Sequence, residues 1–206
     1  MIILAIESAI SGGSVSLLDD GREIAYWIGT SNVSKAEELL VNIDSLLTSN
    51  DIRRNEINLI TVSAGPGSFT GIRIGLATAL GLKAGLGIEM SSESALKSMA
   101  FLQPDNEKIV TAIPMGRNAV CLQSFKKQER EVIALDDPRT MPEELFLSMI
   151  LNEANAAYVL HSALYEKAGH ANSIINFGAN IAHAIGIICQ TNAGVVTEPL
   201  FISKSF

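Results

Sequence analysis

The sequence predicts an α/β fold of two lobes, each a mixed sheet with helices, and three observations carry that expectation. Short apolar runs alternate with stretches of helical periodicity, each half opens on what reads as a strand hairpin, and 206 residues with 48% hydrophobic content can bury a sizeable core. The polar joint Gln103-Pro104-Asp105-Asn106 divides the chain into expected lobes at 1–102 and 103–206, with the last helix and tail able to pack back on the first.

In the first half, Ile2 to Ile6 reads as a strand, Gly12-Gly13 as a turn and Ser14 to Leu18 as a second, alternating strand. Asp19-Asp20-Gly21 turns the chain into Glu23 to Ile28, which completes an antiparallel meander. A helix follows from Ser34 to Ser49. Ser34 and Glu37 have the spacing of a capping box, and Leu39, Leu40, Ile43, Leu46 and Leu47 share one face. Leu59 to Val62 is a buried strand, and a glycine-rich loop then opens a helix that continues through Leu86, capped by Ser68 or Thr70.

In the second half, Ser91 to Phe101 reads as a helix leading to the joint. Ile109 to Ile113, Ala119 to Phe125 and Glu131 to Leu135 read as strands, and Pro142 to Ala154 as a helix with proline in its first turn. Tyr158 to Leu160 is a short strand, His161 to Gly169 and Ala179 to Gln190 are helices, and Pro199 to Ile202 is extended. No internal sequence repeat is convincing.

Composition excludes several function classes. The most apolar stretch, Ile72 to Leu86, is interrupted by Arg73 and Lys83, so no membrane span is expected. Met1 to Ile6 lacks the basic flank and length of a signal peptide, which favours a cytoplasmic protein. Net charge is -7, with 7 basic against 11 acidic residues up to residue 100 and 8 against 11 beyond it, so direct nucleic-acid binding is not expected. Cys121 and Cys189 sit in apolar settings and read as buried free thiols.

The stretch Ser63-Ala64-Gly65-Pro66-Gly67-Ser68-Phe69-Thr70-Gly71-Ile72-Arg73 has the form of a strand, a glycine turn and a helix start, where unpaired amides and the helix dipole attract anions. It fails the known phosphate patterns. Gly71 is followed by Ile72-Arg73 instead of Lys-Ser/Thr, and Gly-x-Gly-x-x-x-Gly is one residue too long for the dinucleotide fingerprint. A tight turn that packs a helix is the competing reading.

Catalytic groupings are sparse. His161, His170 and His183 lie nine and thirteen positions apart, too far along a helix to share a metal, and no metal or cofactor is expected. Glu7 ends the first strand just before Ser8, Gly12 and Gly13, a place where an acid could orient metal-bound phosphate or simply cap the turn. Those four residues form a possible phosphate-binding remnant.

Gly-Pro-Gly-Ser-Phe-Thr-Gly-Ile-Arg-Ile-Gly-Leu-Ala-Thr-Ala within 63–86 resembles the signature of the bacterial TsaB (YeaZ) family. Ile3 to Ser8, Ser14 to Leu18, Glu37 to Leu40 and Glu198 to Phe201 match that family in the same order. The resemblance implies an actin-like (ASKHA, ribonuclease H-like) fold and a non-catalytic scaffold subunit. Such a subunit assists a TsaD-like catalytic subunit, with a TsaE-like ATPase, in making N6-threonylcarbamoyladenosine beside the anticodon of tRNAs that read A-starting codons. The sequence departs from the family pattern at Lys35-Ala36-Glu37, where His-Ser-Glu is usual, and at Pro114 to Cys121, where Asp-Ala-Arg and Glu-Val-Tyr are usual.

The resemblance also implies that the two long helices of the first lobe bundle with equivalent helices of the TsaD-like partner or of a second copy. The expected interface comprises Glu37, Leu40, Ile43, Leu47, Gly71, Ile72, Gly75, Leu76 and Ala79. Two small-residue stripes run along the second helix, Gly71-Gly75-Ala79 and Ala77-Gly81-Gly85; one should face the sheet and the other, with Leu76 or Leu80, the partner. Ala79→Arg is then expected to separate the complex without unfolding the chain. An actin-like ATPase or phosphotransferase using Glu7 is the alternative, and the lack of paired histidines argues against a glycoprotease.

Overall fold

The structure is a computed structural model that describes residues 1–10, 12–29, 35–116, 118–152, 156–169, 174–178, 180–191 and 193–196, without the side chains of 35–37. Its first sheet comprises β1 (Ile2–Glu7), β2 (Ser14–Asp19), β3 (Arg22–Ile28), β4 (Ile57–Ser63) and β5 (Glu89–Glu93), in the order β3-β2-β1-β4-β5. β1 to β3 pair antiparallel, whereas β4 pairs parallel to β1 and β5 parallel to β4. Helix α1 (Lys35–Ser49) precedes β4, α2 (Phe69–Leu86) joins β4 to β5, and α3 (Ala95–Phe101) follows β5.

The second sheet repeats this plan. β6 (Asn106–Pro114), β7 (Ala119–Gln128) and β8 (Glu131–Ala134) form the antiparallel part, and β10 (Ala157–His161) and β11 (Ile174–Gly178) add in parallel, in the order β11-β10-β6-β7-β8. β9 (Arg139–Pro142) pairs with β7. Helices α4 (Glu143–Asn152), α5 (Ser162–Ala168) and α6 (Ile181–Gln190) hold the places of α1, α2 and α3. The halves are therefore a topological repeat that the sequence does not display.

Burial explains the layering. Leu4 and Ile6 of β1 face α1 and α2, in a core with Val15, Leu17, Ile43 and Ile60. Ile3 and Ala5, alternate residues of the same strand, pack with Leu18, Leu59 and Ala182 of α6. Each sheet's last helix crosses to the other sheet: α3 packs on β6 and β7, and α6 packs on β1, β2 and β4. The close approach of α6 depends on Gly186, where a Cβ would lie 2.6 Å from Leu18 Cδ1 and 3.2 Å from Ala5 Cβ.

Several expectations are corrected. The stretch read as one helix from Ser91 to Phe101 is strand β5, then the N-cap Ser94, then α3. β9 and β11 were not expected as strands, and Pro142 ends β9 instead of opening α4. His161 ends β10 and caps α5 instead of starting a helix. Ser34, and so the capping box, lies outside the described residues, as do His170 and Pro199 to Ile202.

Candidate functional site

β1, β4 and β5 end on Glu7, Ser63 and Glu93, all buried. Glu7 Oε1 accepts hydrogen bonds from the Ala9 and Ile10 amides, so its carboxylate caps the turn after β1. Glu93, hidden in the sequence inside a stretch read as helix, accepts from Ser94 N at 2.8 Å and pairs with Lys97 Nζ at 2.9 Å. Ile10, 2% exposed, enters the apolar cluster that α3, α6 and the second sheet share. Both acids therefore serve the chain's own groups.

The glycine loop is likewise occupied by its own chain. Ser68 N donates to Ala9 O at 2.6 Å, Gly71 N donates to the Ser68 hydroxyl at 3.3 Å, and the Ser8 hydroxyl donates to Gly71 O at 2.8 Å. Ser68, not Thr70, is the N-cap. A Cβ at Gly67 would strike the Ala9 carbonyl, and one at Gly71 the Ser8 carbonyl. Gly12 and Gly13 have φ of 87° and 68° and lie buried in the turn. Glu7, Ser8, Gly12 and Gly13 come together as the remnant reading requires, but as a packed turn against α2. In this loop Ser68 N and Gly71 N have partners within the chain, and Gly67 and Gly71 pack against backbone.

The structure divides the expected α1–α2 interface. Ile43, Leu47, Gly71, Ile72, Gly75 and Ala79 are buried. Gly75 abuts the Ser8 hydroxyl and Val62, so the Gly71-Gly75-Ala79 stripe is the one that faces the chain's own sheet. Leu76 is half-buried and Leu40 is 53% exposed, on the same side of α1 as Ile43 and Leu47. Glu37 lies on α1, its side chain outside the described part. Ala77, Gly81 and Gly85 are exposed, a Cβ added at Gly81 or Gly85 would meet no atom within 4 Å, and Leu80 beside them is 53% exposed. Glycine spacing flagged both stripes but could not say which turned outward.

Between α1 and α2 opens a groove of about 450 Å³, with Leu4, Ile57 and Leu86 in its lining and Leu40, Gly81 and Gly85 as exposed members. The Arg54–Asp44 pair, 2.6 Å apart, supplies its polar part. Exposed apolar side chains beside bare glycines let another helix approach closely. Elsewhere, His161 is buried, its Nδ1 accepts from Ala163 N at 3.4 Å, and burial lowers its pKa. Burial pushes the Cys121 and Cys189 thiols up to about 12. Among the described residues no group of three His, Cys, Asp or Glu could hold a metal ion. No helix among them is long and apolar enough to cross a membrane.

The family described as TsaD, tRNA N6-adenosine threonylcarbamoyltransferase, matches residues 32–182. The chain belongs to this family. It is 39% identical over 108 residues to the tRNA threonylcarbamoyladenosine biosynthesis protein TsaB of Buchnera aphidicola subsp. Baizongia pistaciae, covering 52% of this chain and 48% of that protein. To the TsaB of Escherichia coli strain K12 it is 36% identical over 135 residues, covering 64% and 58%. The chain thus spans about half the length of the curated relatives it matches. These matches place it among the TsaB members. The fold agrees: YeaZ from Pseudomonas aeruginosa superposes with a TM-score of 0.68 at 20% identity over 93% of this chain and 92% of that one. The ethanolamine utilization protein EutJ from Carboxydothermus hydrogenoformans follows at 0.56 and 9% identity, over 91% and 90%. The two-lobed actin-like fold is thereby established.

Proposed function

We propose that this chain is a non-catalytic scaffold subunit that docks a TsaD-like catalytic subunit through the exposed side of α1 and α2, in the biosynthesis of threonylcarbamoyladenosine on tRNA. The observation that carries the reading is the α1–α2 groove, flanked by exposed Leu40, Leu80, Gly81 and Gly85, on a member of the TsaD family. The occupied strand-end acids support a role outside catalysis: Glu7 caps a turn and Glu93 is paired with Lys97. A net charge of -7 suits a cytoplasmic protein that leaves tRNA to its partner. A TsaE-like ATPase joins the complex, and a second copy of the chain competes for the same helices.

Ala79 is fully buried, so the informative substitution moves to the open stripe. Leu80→Arg and Gly81→Arg should abolish co-sedimentation with a TsaD-type subunit while circular dichroism and the unfolding midpoint stay close to the parent's. Retained association would sink the docking surface. Calorimetry with Mg-ATP tests the actin-like phosphotransferase reading: micromolar binding with turnover lost in Glu7→Gln would overturn the scaffold role.

A further inference from the structure

The helix that follows the last strand of the second sheet lies across the first. Its entry is tied by a compact polar cluster. Asn180 Nδ2 donates to Glu23 Oε1 at 2.8 Å, and the Ser16 hydroxyl is 2.7 Å from the same oxygen and 3.0 Å from Asn180 Oδ1, so its one proton serves either acceptor. His183 Nδ1 stands 3.4 Å from Glu23 Oε1, and Ala182 N donates to the Ser14 hydroxyl at 3.2 Å. Glu23 comes from β3 and Ser14 and Ser16 from β2, whereas Asn180 follows β11 of the other sheet.

Beyond this entry, Gly186 seats α6 against Leu18 and Ala5. Past the helix, Gly194 N donates to the Ser91 hydroxyl at 2.8 Å, Ser92 N donates to Val195 O at 3.0 Å, and Val196 bridges Ser92 in parallel on the free edge of β5. The same segment closes the core that α3 shares with the second sheet. Ile181, Ile185 and Cys189 of α6 meet Met99 of α3 and Ile109 and Phe125 of the second sheet there.

We infer that residues 180–191 together with 193–196 form a strap that locks the two sheets into one unit, and that the Glu23 carboxylate is its latch. Sheets joined through the chain crossing at α3 could part about that connection; a helix belonging to one and clasped by the other prevents this. Glu23 holds the clasp because one of its oxygens receives Asn180 from across the junction and lies beside Ser16 and His183. The strap lies on the side of the first sheet opposite α1 and α2, so the inference does not depend on the docking reading.

Two native thiols report on the lock. Cys189 is 3% exposed on α6 and Cys121 is fully buried on β7, and both belong to the core between α3, α6 and the second sheet. Each is left as the only cysteine in the full chain (Cys121→Ala or Cys189→Ala), and its labelling by an aromatic disulfide reagent is timed beside a urea unfolding curve. Glu23→Ala and Asn180→Ala should each speed labelling of both thiols by about tenfold or more, the scale of a lost charged hydrogen bond. That gain should exceed the rise in globally unfolded chain calculated from the urea curve. Glu23→Gln, which keeps an acceptor for Asn180, should have a smaller effect. Labelling that is unchanged or that only tracks global unfolding overturns the inference, as does acceleration at Cys189 alone, which reduces the strap to a fraying helix.

Discussion

The Ser8 hydroxyl donates a 2.8 Å hydrogen bond to the Gly71 carbonyl, fastening the loop after β1 to the first turn of α2. One turn on, Gly75 meets the same hydroxyl, and a Cβ there would also lie 3.4 Å from Val62 Cγ2. Alanine normally stabilises a helix interior by about 1 kcal/mol over glycine. At Gly75 that gain is outweighed by overpacking, which costs about 1–3 kcal/mol. Gly75→Ala should lower the urea midpoint, whereas Gly81→Ala and Gly85→Ala, facing open space, should raise it by an amount worth about 0.5–1 kcal/mol each. A stabilised Gly75→Ala would show that the loop can retreat from α2.

Glu7 makes a second, sharper case. Its carboxylate accepts from two buried amides, so Glu7→Ala leaves the N–H groups of Ala9 and Ile10 without that acceptor. An unpaired buried donor costs about 1–3 kcal/mol, and Glu7→Gln, which keeps one carbonyl oxygen, should lose clearly less. Equal losses in the two variants, read from urea unfolding at neutral pH, would mean that charge and not capping is what the site needs.

These contrasts mark what the sequence could and could not reveal. Leu59 to Val62 announced a strand because apolar, partly β-branched residues fill it, and the meander announced itself through Gly12-Gly13 and Asp20-Gly21. β5 was lost because Glu-Met-Ser-Ser-Glu has no such run; its strand state comes from parallel pairing with Leu59 to Ser63, a tertiary cause. The misreading also hid Glu93 and its pairing with Lys97. On α2 the two small-residue stripes have the same spacing, and glycine carries no hydrophobic signal to mark the inner one. Only the neighbours Ser8, Ala9 and Val62 decide it.

Thr61 is fully buried in the middle of β4, and its hydroxyl has no hydrogen-bond partner among the described residues. Removing an unpaired buried hydroxyl while keeping the shape relieves a desolvation penalty. Thr61→Val should therefore be neutral or stabilising by up to about 1 kcal/mol. Ser91, beside it on β5, is the control: its hydroxyl accepts from Gly194 N, and Ser91→Ala should destabilise by about 1 kcal/mol. Thermal unfolding of the two variants checks both signs, and a destabilised Thr61→Val would point to a partner for that hydroxyl.

His161 carries the pH dependence. It is buried at the end of β10, its Nδ1 accepts from Ala163 N, and desolvation holds its pKa below the usual 6.5. Between the folded value and 6.5, the unfolded chain binds a proton that the folded chain refuses. The contribution to stability is thus complete above 6.5 and is lost as pH falls below it, until the folded value is reached. His161→Asn keeps a side-chain oxygen as N-cap acceptor but cannot titrate. Wild-type protein should lose more stability than His161→Asn between about pH 7 and about pH 5, with the difference reporting this residue alone. Parallel curves would show that the imidazole reaches solvent readily enough to protonate in place.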